Sequence, residues 1–412
     1  MYRTRHPQQT WEAPVNRKSV ASPMACVMGD MNVVRPLGLV GICCAVVAPP
    51  GNPTTYSRFV RAVLPWQSFS KNLDALADML LRFGAAQQEP PVLFFEEDSH
   101  LLFTSRYRER LGQAFRFILP EATLVEDLVD KARFQSLAER LSLPVPASRR
   151  IRPSPDSAPA SIDLRFPAVI KPLRRRSPWE LISGGSKAIE VATEEAFREL
   201  WPRLASNEMD LLVQEMIPGP ESCIESYHVY VDDRGEIAGE FTGRKIRTYP
   251  PSCGHSTALE TTDAADVASL GHALVKKLDL LGVAKFDFKR DPDGELHLLE
   301  INPRFNLWHV LGARAGVNIP ALVYADLTGQ SRPLPAKARP GVRWCTLPSD
   351  WIAARTIGLS LWSWLPWVIR CEVTSHMNWD DPVLLHAVWH RGMSSVSERL
   401  SRLMQSSHRG EA

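Results

Sequence analysis

Residues 283–305 read VAKFDFKRDPDGELHLLEINPRF, and no other stretch restricts the fold of this chain so sharply. Lys285, Asp287 and Lys289 alternate with Ala284, Phe286 and Phe288, the period-two pattern of a half-buried strand with one polar face. Asp291-Pro292-Asp293-Gly294 has the residues of a tight turn, and residues 296–301 return as a second strand. A turn that closes with Arg290 opposite Glu295 sets Asp287 opposite Leu298 and diagonal to Glu300, about 7–8 Å away at Cα. Asn302 points the same way as Glu300. Carboxylates on such a strand are costly to bury without a cation or a proton. Oxygen donors of this kind suit magnesium, which keeps waters and takes further ligands from phosphate. The plainer alternative is a surface hairpin whose acids pair with Lys285 and Arg304.

A chain of 412 residues is too long for one compact core and long enough for two or three domains. Its formal net charge of +2 supplies no global field that selects nucleic acid or a membrane. Residues 1–23 carry Arg3, Arg5, Arg17 and Lys18 without the apolar core of a secretory signal, and read as a disordered extension or an upstream start. The cysteine count, 7, is odd, and no pair has CxxC spacing, so buried reduced thiols in a cytoplasmic protein are expected rather than a disulfide framework or structural zinc. His386 and His390 share a helical spacing. Ala387 stands where a zincin has glutamate, so a structural helix face is expected there, not a metal site.

The order of elements predicts a mixed α/β and α+β chain. Strands at 25–28, 42–47 and 91–95, with helices at 33–39 and 74–81, form an open parallel α/β domain over residues 24–122. That domain lacks GxGxxG, so a dinucleotide site is not expected. A helix over 124–141, a linker over 148–162, strands at 168–171 and 211–215, and a hairpin of 227–231 with 236–241 follow. The helix at 264–281 carries the stripe Val267, Leu270, Leu274, Leu278 and Leu281. Residues 331–412 read as a Trp-rich C-terminal helical extension. Its uncharged run, 356–369, contains Pro366 and is shorter than the roughly 20 residues a spanning helix needs. The Trp-rich stretch 343–371 is expected to pack on the rest of the chain or on a second subunit, in preference to resting on a membrane surface.

From about Gly29 to Leu327 this order of motifs resembles the ATP-grasp superfamily. The resemblance is to its carboxylate–amine ligase group, with D-alanine–D-alanine ligase and carbamoyl-phosphate synthetase as more distant relatives. It implies a two-lobed ATP-grasp domain over residues 123–330, with a nucleotide lobe at about 145–213. Asp287, Glu300 and Asn302 match the family's magnesium ligands, and Arg304 the arginine facing the transferred phosphate or the carboxylate. Lys171, in Val169-Ile170-Lys171-Pro172, matches the strand lysine on the ATP phosphates, and Lys131 the lysine at the entry to the ATP lobe. Gln214-Glu215-Met216-Ile217 matches the hinge whose backbone reads adenine, and Glu221 the acid on the ribose hydroxyls. Ser183-Gly184-Gly185-Ser186 matches a phosphate-covering loop, after a longer Arg-rich insert at 173–181. Lys245 and Arg247 resemble a basic segment near the γ-phosphate. With Lys285 and Arg304 they make up the implied catalytic set.

The resemblance implies a ligase that joins a small-molecule or carrier-linked carboxylate to an amine through an acyl phosphate. ATP and Mg2+ are the implied cofactors, with Mn2+ as the alternative cation. Nucleic acid is not an expected partner, and homo-oligomerisation stays open. An acid–thiol ligase or a kinase shares the same ATP half-site. A non-catalytic ATP-binding scaffold is the other rival, and its signature is a lost metal ligand. All three candidate ligands are present.

Overall fold

The computed structural model describes residues 22–65, 72–156, 162–173, 177–184, 188–207, 209–252, 254–334, 336–375 and 379–387. The expectations for residues 1–21 and for His390 lie outside the described residues. The chain divides into two compact units. One comprises the described residues of Met1–Phe117, Tyr324–Arg332 and Ser375–Ala412, and the other those of Ile118–Val323 and Pro333–Thr374.

The first unit holds a parallel sheet of β1 (Ala25–Met28), β2 (Cys44–Val47), β3 (Val60–Leu64) and β4 (Val92–Phe95), in the order β3-β2-β1-β4. β1, β2 and β4 are buried along their whole length, which is why they read as unbroken apolar runs. The helix Met31–Gly38 starts where the Asp30 carboxylate accepts from the Asn32 N–H, and leads from β1 to β2. The helix Leu73–Ala85, capped by Asn72, precedes β4. β3 is an addition to the predicted strands. As an edge strand it alternates exposed and half-buried residues around Arg61, so it lacks the apolar signal of its neighbours.

The second unit holds two sheets. The smaller is antiparallel, with β5 (Ser148–Ile151), β6 (Ala168–Pro172), β7 (Ile189–Val191) and β8 (Leu211–Glu215) in the order β5-β8-β6-β7. The helix Glu194–Ala205, capped by Thr193, buries Phe197, Trp201 and Leu204 against Ile170 and Val213. Two expectations are corrected here. Part of the predicted linker at 148–162 is β5, an edge strand that lets Arg149 and Arg150 point to solvent. Part of the predicted insert at 173–181 belongs to the helix Ser177–Ser183, anchored by the buried Trp179.

The larger sheet comprises β9 (Ile224–Val231), β10 (Ile237–Tyr249), β11 (His255–Thr262), β12 (Gly282–Arg290), β13 (Leu296–Asn302), β14 (Arg343–Cys345) and β15 (Val373–Thr374). Their order is β13-β12-β9-β10-β11-β14-β15. Ala284, Phe286 and Phe288 join Tyr227 and Val229 in one core, under the helix Ala265–Leu278 with its Val267, Leu274 and Leu278. Each of the buried phenylalanines, leucines and valines contributes about 1.5–3 kcal/mol by leaving water. Helix and sheet approach so closely that any side chain at Gly271 would run into the Tyr227 ring. The predicted single helix at 124–141 is two helices, Ala122–Val129 and Lys131–Arg140. Asp130 leaves the helical conformation and caps the second through the N–H groups of Ala132 and Arg133.

The C-terminal segment also departs from its reading as a purely helical extension. β14 pairs antiparallel with β11, and β15 pairs parallel with β14. Between them lie the helices Leu347–Thr356 and Leu361–Ile369. No helix among the described residues is long and apolar enough to cross a membrane.

Candidate functional site

β12 supplies the polar side of the site because its alternation turns Lys285, Asp287 and Lys289 away from the phenylalanine core. This side is more enclosed than a half-buried strand would suggest: Asp287 is 1 % exposed and Lys289 6 %. The hairpin register also differs from the predicted one. Phe288 pairs with Leu298 but Asp287 pairs with Glu300, so Leu299 is an extra residue on β13. The turn closes with Arg290 opposite Leu296, one residue further on than predicted, and the bulge adds a second residue of shift, so Asp287 and Glu300 are direct cross-strand partners instead of diagonal neighbours, and Leu299 lines a cavity.

Around Asp287 the fold gathers cations and hydroxyls. Lys285 Nζ donates to Asp287 Oδ2 at 2.7 Å, and Lys245 Nζ lies 3.9 Å from the same oxygen. Ser226, across on β9, donates its hydroxyl to Asp287 Oδ1. Burial alone would raise the Asp287 carboxyl pKa. The charges of Lys285 and Lys245 and the two hydrogen bonds outweigh it and hold the group well below the usual carboxylate range. Lys285 Nζ is also 3.7 Å from Glu300 Oε1. Asn302 Nδ2 donates to Glu300 Oε1 at 3.0 Å, and Arg304 Nη2 donates to Asn302 Oδ1 at 3.1 Å. Asp287, Glu300, Asn302, Arg304, Lys285 and Lys245 thus form one connected cluster. Its carboxylate and amide oxygens, from two paired strands, are the hard donor set that suits a divalent cation such as magnesium.

A cavity of about 230 Å³ opens beside this cluster between the two sheets of the unit. Lys171, Gln214, Glu215, Met216, Ile217 and Glu221 all line it. Lys171 Nζ donates to Gln214 Oε1 at 3.0 Å, and Lys131 Nζ donates to the carbonyl of Pro172, next to Lys171, at 2.9 Å. In the hinge the Glu215 N–H donates to Ala147 O and the Met216 N–H to Pro167 O. Those two donors are engaged inside the fold. The Glu215 carboxylate is held by the backbone N–H and the guanidinium of Arg165. Partial burial pushes that carboxyl up, but the bonds and charge of Arg165 outweigh this and lower it.

Arg247 does not join the cluster. Irregularities in the β10–β11 pairing on either side of it break the alternation with Lys245. Its guanidinium makes a buried two-point pair with Asp350, Nε to Oδ1 at 2.8 Å and Nη2 to Oδ2 at 2.6 Å, and lies over the Trp367 ring. Ser183 ends a helix instead of opening a loop, Gly184 follows with φ +61°, and Gly185 and Ser186 lie outside the described residues. Sequence reasoning also missed several wall residues: Lys289, Leu299, Ile224, Glu190 and Ser252. Lys289 carried a signal, because it shares the polar face of β12 with Asp287. Glu190 and Ser252 carried none, because only the fold brings them together.

The profile of a family described as ATP-grasp in the biosynthetic pathway with Ter operon matches residues 207–347. The chain is 25 % identical over 299 residues to a D-aspartate ligase of Enterococcus faecium, spanning 69 % of this chain and 70 % of that protein. It is 24 % identical over 217 residues to a D-alanine–D-alanine ligase of Pseudomonas fluorescens, spanning 48 % of this chain and 62 % of that one. Among solved structures, N5-carboxyaminoimidazole ribonucleotide synthetase in complex with ADP superposes with a TM-score of 0.60 at 14 % identity, covering 79 % of this chain and 82 % of the other. An L-amino acid ligase from Bacillus licheniformis superposes with a TM-score of 0.56 at 15 % identity, covering 76 % of each.

Proposed function

We propose that this chain, which carries an ATP-grasp domain homologous to D-aspartate ligase and D-alanine–D-alanine ligase, is an ATP-dependent ligase that joins a carboxylate to an amine through an acyl phosphate. The observation that carries the reading is the continuity of one face of β12. Lys289 lines the cavity, Asp287 follows at the centre of the charged cluster, and Lys285 follows that. A nucleotide with its adenine at the hinge and its ribose at Glu221 has its triphosphate directed along this face. Lys171 and Lys131 then meet the inner phosphates as fixed positive charges. The γ-phosphate reaches Lys285, Lys245 and Arg304.

In the first step a carboxylate oxygen of the substrate attacks the γ-phosphorus, the bond from that phosphorus to the bridging oxygen breaks, and ADP leaves. In the second, an amine lone pair attacks the acyl carbon, inorganic phosphate leaves, and the nitrogen gives up a proton. Lys285, Lys245 and Arg304 stabilise charge that grows on the transferring group, and their positions are fixed beforehand by the strands. Asp287, Glu300 and Asn302 are the residues that would hold magnesium, or manganese in its place, which when bound supplies further charge neutralisation at the phosphates.

The test is ADP release against panels of carboxylates and amines, with hydroxylamine as a trap. Release that needs a carboxylate, and a hydroxamate when hydroxylamine replaces the amine, is the expected result. Phosphate retained in a stable ester without hydroxamate would assign a kinase, and a thioester product would assign an acid–thiol ligase.

A further inference from the structure

The helix Leu361–Ile369 has two apolar faces, and only one is covered. On the inner face Trp364 Nε1 donates to Asp350 at 2.8 Å, and Trp367 lies under the guanidinium groups of Arg247 and Arg343. These contacts fix the helix on the larger sheet's unit. On the opposite face Trp362 and Ile369 fall on one stripe at i, i+7 spacing, 79 % and 72 % exposed. Ile357, just before the helix, is exposed as well. Packing among the described residues does not account for an indole this exposed.

The charges around the stripe select its occupant. Arg355 and Arg370 flank it and are both exposed. The Arg355 guanidinium lies over the Trp351 ring. Between residues 347 and 371 the only acidic residue is Asp350, which is buried and paired with Arg247. Glu372, the next acid, is engaged by Arg314 and Arg339. The stripe is therefore an apolar ridge with a protruding indole, flanked in sequence by two arginines, and its own segment contributes no exposed carboxylate. That is the complement of an anionic bilayer surface, where an indole sits at the boundary and arginines meet the headgroups. At about 1.5 Å per residue, a nine-residue helix is far too short to span.

We infer that the outer face of Leu361–Ile369 docks the protein on an anionic membrane surface, with Trp362 and Ile369 entering the interface and Arg355 and Arg370 on the headgroups. The inference does not depend on the ligase reading. The full chain would be sedimented with vesicles of phosphatidylcholine alone and with vesicles containing phosphatidylglycerol. Binding to the anionic vesicles and little to the neutral ones is expected. Trp362→Ser with Ile369→Ser should lower partitioning by about tenfold or more. Each of Arg355→Gln and Arg370→Gln should lower it by about fivefold, with a matching loss at raised salt. These side chains are exposed, so unfolding temperature and ADP release without vesicles should not change. Equal binding of wild type and the double variant would overturn the inference. So would failure to bind vesicles while the double variant turns an oligomer into a monomer, which would assign the face to a second copy.

Discussion

Lys285 reaches Asp287 from the same strand, two residues away, and closes a 2.7 Å bond to the oxygen that Lys245 also approaches. Within the cluster the cations Lys285, Lys245 and Arg304 outnumber the carboxylates Asp287 and Glu300, which leaves excess positive charge before any nucleotide enters. A γ-phosphate meets donors that are already placed, so little reorganisation is left for the chemical step.

If Glu300 acts as a cation ligand, Glu300→Gln should lower ADP release by about a hundredfold or more. Its side chain is largely exposed, so the unfolding transition should barely move. Excess EDTA should silence the wild type as well. Turnover that survives both treatments would remove the cation from the reading.

Nucleotide affinity tests the cavity walls. Lys171→Ala and Glu221→Ala should each weaken binding of a non-hydrolysable ATP analogue by about 1.5–3 kcal/mol, the usual worth of a hydrogen bond to a charged group. Lys289→Met should have a comparable effect if adenine or ribose lies against it. Titration calorimetry reads all three. Unchanged constants would show that the nucleotide lies elsewhere.

Arg247 separates stability from chemistry. Removing it leaves Asp350 buried without its guanidinium partner, so Arg247→Ala should destabilise the fold by about 3–5 kcal/mol. The joint change Arg247→Met with Asp350→Leu should recover much of that loss. Denaturant unfolding followed alongside ADP release distinguishes the roles. A fully stable Arg247→Ala protein that no longer turns over would return this residue to the catalytic set.

Two buried histidines set a pH limit. His228 and His309 are enclosed by Phe241, Trp308 and Phe305. Burial disfavours their charged forms, moving His309 down to about 3 and His228 well below its ordinary value. The unfolded chain binds their protons below about 6.5 and the folded chain does not. Stability is thus complete above that pH and falls as pH drops toward the folded values, by up to about 1.4 kcal/mol per unit for each histidine. Melting curves between pH 4.5 and 7.5 should show this slope, and His309→Phe should flatten it. An identical slope in the variant would exclude His309 as its source.

The sequence carried the site wherever chemistry and local spacing coincide. The acidic hairpin, Lys171, Gln214 and Glu215 stood out because each sits on a strand, while Glu221 opens the short 3-10 turn that leads into β9. The misplacements trace to events of a single residue. Leu299 shifts the register, and nothing in its identity marks a bulge. Irregular pairing beside Arg247 undoes an alternation that looked sound. β5 was hidden because edge strands tolerate arginine, and the helix Ser177–Ser183 lies inside what read only as an Arg-rich insert.

β14 covers the outer edge of β11, and that has a practical consequence for any shortened form of this protein. Ending the chain near residue 330 would remove no independent appendage. It would strip the hydrogen-bonding partner from Ala258–Glu260 and leave an exposed strand edge in the body of the sheet. Bare edges recruit other chains. Such a truncation should come out of expression as aggregate.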